Sequence, residues 1–85
     1  MAEQVREYQR MLAPEIRRAM KAAILALPRG DTKPLSDELE GLHRLRVGNH
    51  RVIFRHRAGQ IECFLAASRS LVYEYLAAHL HDYLG

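Results

Sequence analysis

The residues able to do chemistry crowd into the second half of the chain. Between Gly41 and Ile61 stand Arg44, Arg46, Arg51, Arg55 and Arg57, with His43, His50 and His56 among them and no acidic residue. With the histidines neutral, this window carries five positive charges, while the remaining residues comprise eight basic and ten acidic ones. The formal net charge of +3 is therefore the product of one short stretch. A local excess of guanidinium groups is an electrostatic footprint for a polyanion or an acidic protein segment. Arginine suits phosphate in particular, because its planar fork matches two oxygens and it stays charged. For the same reason it cannot serve as a proton acceptor. A solvated sheet face kept soluble by arginine is the plainer alternative. The mixed signs of the other exposed segments speak against it.

The remaining reactive groups narrow the classes. His79 and His81 are two residues apart, so on a helix they point to different sides, which argues against a metal pair. Taken singly, each histidine reads as a surface residue. Cys63 is the one cysteine, which excludes an intramolecular disulfide and a cysteine-based zinc site. Glu62 before it and Phe64-Leu65 after it read as a strand, so a buried structural thiol is expected. No metal or cofactor is called for. No apolar run approaches the roughly 20 residues of a membrane span. The N-terminal residues through Arg6 and Glu7 carry charge where a signal peptide would be apolar, so a cytoplasmic protein with no membrane partner is expected.

The elements that must position these side chains follow from spacing. Residues 3–12 and 15–27 read as two helices joined as a hairpin at Ala13-Pro14. Val5, Tyr8, Met11 and Leu12 form the apolar stripe of the first, and Ile16, Met20, Ala23, Ile24 and Leu27 that of the second. A strand beginning at residues 2–8 is the weaker alternative. Pro28-Arg29-Gly30-Asp31 is a stop signal, and residues 28–41 read as a connecting loop with a short turn near 36–40. Residues 42–47 and 50–57 alternate as strands around a tight Gly48-Asn49 turn. The alternation puts Arg51, Ile53, Arg55 and Arg57 on one face. After a turn at Ala58-Gly59-Gln60, residues 61–67 form the most apolar strand, suited to the centre of the sheet or to contact with helices. Ser68 or Ser70 is placed to cap a last helix running to about Tyr83, with Leu71, Val72, Leu76, Leu80 and Leu84 as its stripe. The expectation is one domain over residues 1–85, of the α+β class. An N-terminal helical hairpin packs on a small antiparallel sheet of three to four strands, with a C-terminal helix. The arginine-bearing faces would then occupy a sheet surface left open by the helices.

With Pro34-Leu35, the run Glu40-Gly41-Leu42-His43-Arg44-Leu45-Arg46-Val47-Gly48-Asn49-His50-Arg51-Val52-Ile53-Phe54-Arg55 and the later Arg69-Ser70-Leu71-Val72-Tyr73, the chain resembles RelE/ParE superfamily toxins. Those read as a Pro-Leu loop, a glycine, an x-R-L-R-V-G-x-x-R-V-x-Y/F hairpin, an apolar strand and an R-x-x-V-Y helix start. Order and spacing hold from about Leu27 to Tyr73. The N-terminus departs from the pattern, since the strand that opens many relatives is weak or missing.

The resemblance implies the toxin of a toxin–antitoxin pair. RelE-like members cleave messenger RNA on the ribosome without a metal. Such cleavage has the 2′-hydroxyl attack the adjacent phosphate, so the site needs a proton acceptor and fixed positive charge at the transition state. By position in the motif, Arg51 and Arg69 would bind the phosphate, and Tyr73 would stack on a base or assist proton transfer. Arg44, Arg46 and Arg55 would bind the nucleic-acid backbone. The best-known RelE enzymes place lysines on the strand that here holds Arg44 and Arg46, so the general base has to be another group. His43, His50, His81 and Tyr83 are the candidates. The implied partners are a cognate antitoxin in a hetero-oligomer, the ribosome and mRNA. The alternative within the superfamily is a ParE-like inhibitor of DNA gyrase without catalysis, and a third reading is a non-toxic relative that only binds its antitoxin.

Overall fold

The computed structural model describes residues 1–79. In chain order it contains helices α1 (Glu3–Arg10) and α2 (Pro14–Leu25), strand β1 (Thr32–Pro34) and a 3-10 turn (Asp37–Leu39). Strands β2 (Leu42–Val47), β3 (His50–Arg57) and β4 (Gln60–Ser68) follow, and then helix α3 (Val72–Ala78). The strands form one antiparallel sheet in the order β1-β2-β3-β4. This is the expected α+β class, with helices before and after the sheet in sequence.

Amphipathic spacing explains which surfaces meet. Val5 of α1 and Met20 of α2 bury completely against Leu45, Val52, Phe54, Cys63 and Ala66. Tyr8, Leu12, Ala23, Ile24 and Leu27 pack around that core. Met11 and Ile16 of the expected stripes stay exposed. Pro14 stands in the first turn of α2, where its missing N–H costs no helical bond. On the other face of the sheet, Leu42, Ile53, Phe64, Leu65 and Ala67 pack with Val72 and Leu76 of α3. The period of two in β2 and β3 sorts the rest. Arg44 and Arg46 share the α3 side with Leu42, and Arg51 and Arg55 share it with Ile53. A register irregularity opposite Ile53 and Phe54 lets both Phe64 and Leu65 join the α3-side core. The β2–β3 turn opens on Gly48 at φ +57, a left-handed conformation that glycine adopts without steric cost.

Four features differ from the sequence reading. Residues 32–34 are a strand rather than loop: Thr32, Lys33 and Pro34 pair with Leu45, Arg44 and His43. Three residues ending in proline carry no alternation, so pairing with β2 creates this strand. Second, of the two placements expected for the apolar β4, the sheet centre is not the one found; it lies at the edge, and the expected contact with helices is realised on both faces. Third, the arginine face is not wholly open, because α3 packs on part of it. Fourth, neither Ser68 nor Ser70 caps α3; Leu71 occupies the N-cap position with no side-chain cap bond. The two hydroxyls instead lie 3.3 Å from each other.

The outer edge of β4 has its own solution. Ala2 N–H donates to the Cys63 carbonyl at 3.0 Å. The Gln4 side-chain amide then pairs with the Ala66 backbone, with Nε2 donating to the carbonyl at 2.6 Å and Oε1 accepting from the N–H at 2.7 Å. One backbone bond and one side-chain amide thus do what a strand at residues 2–8 would have done, and those residues form α1 instead.

Candidate functional site

Strand register builds the site. It sets Arg46 directly opposite Arg51, with Arg44 opposite Ile53 on the same face. Like charges facing each other across a strand pair are destabilising. Arg51 is half-buried, and its Nη1 donates to the carbonyls of Gly48 at 2.8 Å and His50 at 3.0 Å. Its pKa lies below the ordinary arginine value. Desolvation is the main cause, and the charges of Arg46, Arg44 and Arg69 push the same way. The Tyr73 hydroxyl is near enough to act in the opposite sense. Arg69 arrives through the segment entering α3, where its N–H donates to the Asn49 carbonyl at 2.9 Å. Arg44, Arg46, Arg51, Arg69 and Tyr73, called together by the sequence, are therefore neighbours in space.

Neutralisation across this face is uneven. Asp31 lies 3.6 Å from Arg44 and 3.9 Å from Arg46. These separations are beyond a good hydrogen bond, and one buried Arg44 nitrogen lacks a hydrogen-bond partner. Arg51 and Arg69 form no ion pair among the described residues. Glu62 binds Arg55 at 2.9 Å and sits 3.8 Å from Arg57. Arg55 also lies over the Phe64 ring, 5.5 Å from its centroid. At one end of the face Glu62 holds Arg55 closely; at the other, Asp31 stands off from Arg44 and Arg46, and Arg51 and Arg69 have no ion pair among the described residues.

The histidines take other positions. His43 stacks on Phe54 with centroids 5.2 Å apart, and His56 meets His43 edge-on at 5.4 Å. His50 Nδ1 is hydrogen-bonded to the Tyr8 hydroxyl at 2.7 Å. Phe54 and Tyr8 belong to the core beneath α1 and α2, so His43 and His50 face away from the guanidinium cluster. His81 and Tyr83 lie outside the described residues. Tyr73, 44% exposed on the first turn of α3, and Asp31 are the ionisable groups other than arginine recorded with the cluster. Among the described residues, no three His, Cys, Asp or Glu side chains converge as a metal site, and no helix is long and apolar enough to cross a membrane.

Two contributors were not legible beforehand. Asp31 stood in an expected loop; it reaches Arg44 and Arg46 because β1 aligns beside β2, with the Arg46 N–H donating to the Asp31 carbonyl at 2.9 Å. The three turn carbonyls of residues 48–50 that hold Arg51 and Arg69 are backbone groups with no residue-type signal.

No protein-family model and no curated protein matches the chain. Among solved structures it is similar to a chain of the RelB–RelE antitoxin–toxin complex from Methanococcus jannaschii. Identity is 20%, coverage is 78% of this chain and 85% of that one, and the TM-score is 0.63. At that level of identity, what the two chains share is the fold.

Proposed function

We propose that this chain is the toxin of a toxin–antitoxin pair, of RelE/ParE type, and that it acts as a metal-independent mRNA endonuclease on the ribosome. The observation that carries the reading is the facing pair Arg46 and Arg51, joined by Arg44 and Arg69 and left without a close carboxylate at Arg51. A fold gains nothing from crowding cations on a partly desolvated surface. A bound polyanion turns that cost into affinity. The motif order from Pro34 to Tyr73 supports the superfamily, and the fold shared with a chain of an antitoxin–toxin complex is in keeping with it. A cognate antitoxin with an acid-rich segment is the matching protein partner.

In this mechanism Arg51 and Arg69 hold the scissile phosphate and stabilise its added negative charge, because both are fixed cations near one point. Tyr73 stacks on a base beside that phosphate. Arg44 and Arg46 hold the flanking backbone. The group that takes the 2′-hydroxyl proton is sought at Tyr73 or among His81 and Tyr83, since His43 and His50 face the other side of the sheet.

A second reading has a specific observation behind it. The Arg51 end carries no histidine among the described residues, which fits a ParE-like gyrase inhibitor that binds and does no chemistry. Induced expression separates the two. Rapid translational arrest with messages cut inside reading frames is expected, and Arg51→Ala and Tyr73→Phe should remove the cuts. Filamentation and DNA damage with intact messages would transfer the proposal to gyrase. Unchanged cleavage by both variants would refute the residue assignment.

A further inference from the structure

We propose that Tyr8 and His50 are positioning residues for the arginine cluster, acting from the opposite face of the sheet through the β2–β3 turn. This rests on the reading of that cluster as an RNA site and adds residues to it.

The reasoning starts from a mechanical problem. Arg51 is repelled by Arg46, Arg44 and Arg69, so a freely rotating side chain would swing toward solvent. Two carbonyls of one turn prevent this, Gly48 and His50, both accepting from Nη1. The carbonyl between them, Asn49, accepts the Arg69 N–H. Three consecutive carbonyls thus orient one arginine side chain and the backbone of another. Their aim depends on where the turn sits, and this two-residue turn projects past the last pair of its strands, Val47 and His50. The hydrogen bond between His50 Nδ1 and the Tyr8 hydroxyl restrains it, linking the residue after the turn to α1 at 2.7 Å. The rings also meet edge to face, with centroids 5.6 Å apart. Burial raises the Tyr8 pKa, so the phenol keeps its proton and can donate to Nδ1.

His50 therefore contributes twice. Its side chain anchors the turn to α1, and its carbonyl holds Arg51. Helix α1 in turn is fixed by Val5 in the core and by Gln4 on β4.

The test follows the arginine side chain by 15N NMR alongside binding of a short 2′-O-methylated RNA oligonucleotide, which cannot be cleaved. In the parent, the Arg51 Nη protons should be resolved and slow to exchange. Tyr8→Phe removes one oxygen, and His50→Leu removes the ring nitrogen. Both should collapse the Arg51 signals and weaken RNA binding on the order of tenfold, as small misplacements of a binding group do. His50→Asn sets an acceptor near the position of Nδ1 and should restore signals and affinity. Melting curves accompany each variant, and if Tyr8→Phe is unfolded, His50→Leu against His50→Asn decides. Folded variants with unchanged Arg51 signals and unchanged affinity overturn the inference. The parent reading fails separately, if Arg51→Ala binds the oligonucleotide as well as the parent does.

Discussion

The guanidinium of Arg51 faces Arg46 across the strand pair, with Arg44 and Arg69 nearby, and two carbonyls are its hydrogen-bond acceptors. Its pKa is depressed by desolvation first and by those cations second, so the folded chain binds this proton less tightly than the unfolded one. Stability therefore rises with pH only in the window between the depressed and the ordinary arginine values, far above neutrality. At neutral pH the charge is a cost to the fold, partly offset by the two carbonyl bonds. Arg51→Met should leave the melting temperature within about 5 °C of the parent, equivalent to roughly 1 kcal/mol for a domain of this size. The same variant should lower RNA cleavage by about 100-fold or more, the usual loss when a transition-state charge partner is removed. Thermal melts and primer extension check the two halves. A large loss of stability with cleavage intact would make Arg51 a structural residue. Cys63 is the opposite case: burial raises its pKa and its thiol is in the core, so the sequence-based reading of a structural cysteine holds.

At the scale of elements, the β4 edge and the N-terminus depend on each other. Gln4 satisfies both backbone groups of Ala66, and Ala2 satisfies Cys63. Gln4→Ala should destabilise the fold by about 1–2 kcal/mol, since two hydrogen bonds to the Ala66 backbone are lost at a partly solvated edge. Chemical denaturation would measure it, and hydrogen exchange at the Ala66 amide should accelerate more than at Leu65. An unchanged exchange rate at Ala66 would mean that the side-chain pairing is dispensable. Helices α1 and α2 were legible because each repeats apolar residues at helical spacing, and strands β2, β3 and β4 because glycine turns bound apolar segments of strand length. Strand β1 was not, because three residues including Pro34 have no period to read and exist as a strand only by pairing with β2.

For the whole molecule, charge is sorted by location. Arg55 is closely paired with Glu62, whereas Arg51 has no ion pair among the described residues and is crowded by other cations. If the Arg51 end binds RNA through Arg44, Arg46, Arg51 and Arg69, affinity should fall with salt at a log–log slope of about −2 to −3, given roughly 0.7 per phosphate contact on single strands. Arg46→Gln should flatten the slope by about 0.7. Arg55→Gln should leave it nearly unchanged, because Glu62 holds that guanidinium at 2.9 Å. Filter binding over a salt series measures all three, and an equal change from Arg55→Gln would dissolve the distinction between the two ends. By itself the sequence determined the α+β class, the hairpin register and the sharing of one face by Arg44, Arg46, Arg51 and Arg55. These follow from local periodicity and a two-residue turn. Tertiary structure decided which of the cluster's arginines have a carboxylate beside them and which do not. That depends on Asp31 arriving with β1, on Glu62 standing opposite Arg55, and on Arg69 being brought to the turn by its bond to Asn49. The same alternation sets His43 and His50 on the far side of the sheet from the guanidinium groups, and packing added what they meet there, Phe54 and Tyr8. Contacts between residues distant in sequence leave no periodic trace in the chain, so only packing could settle them.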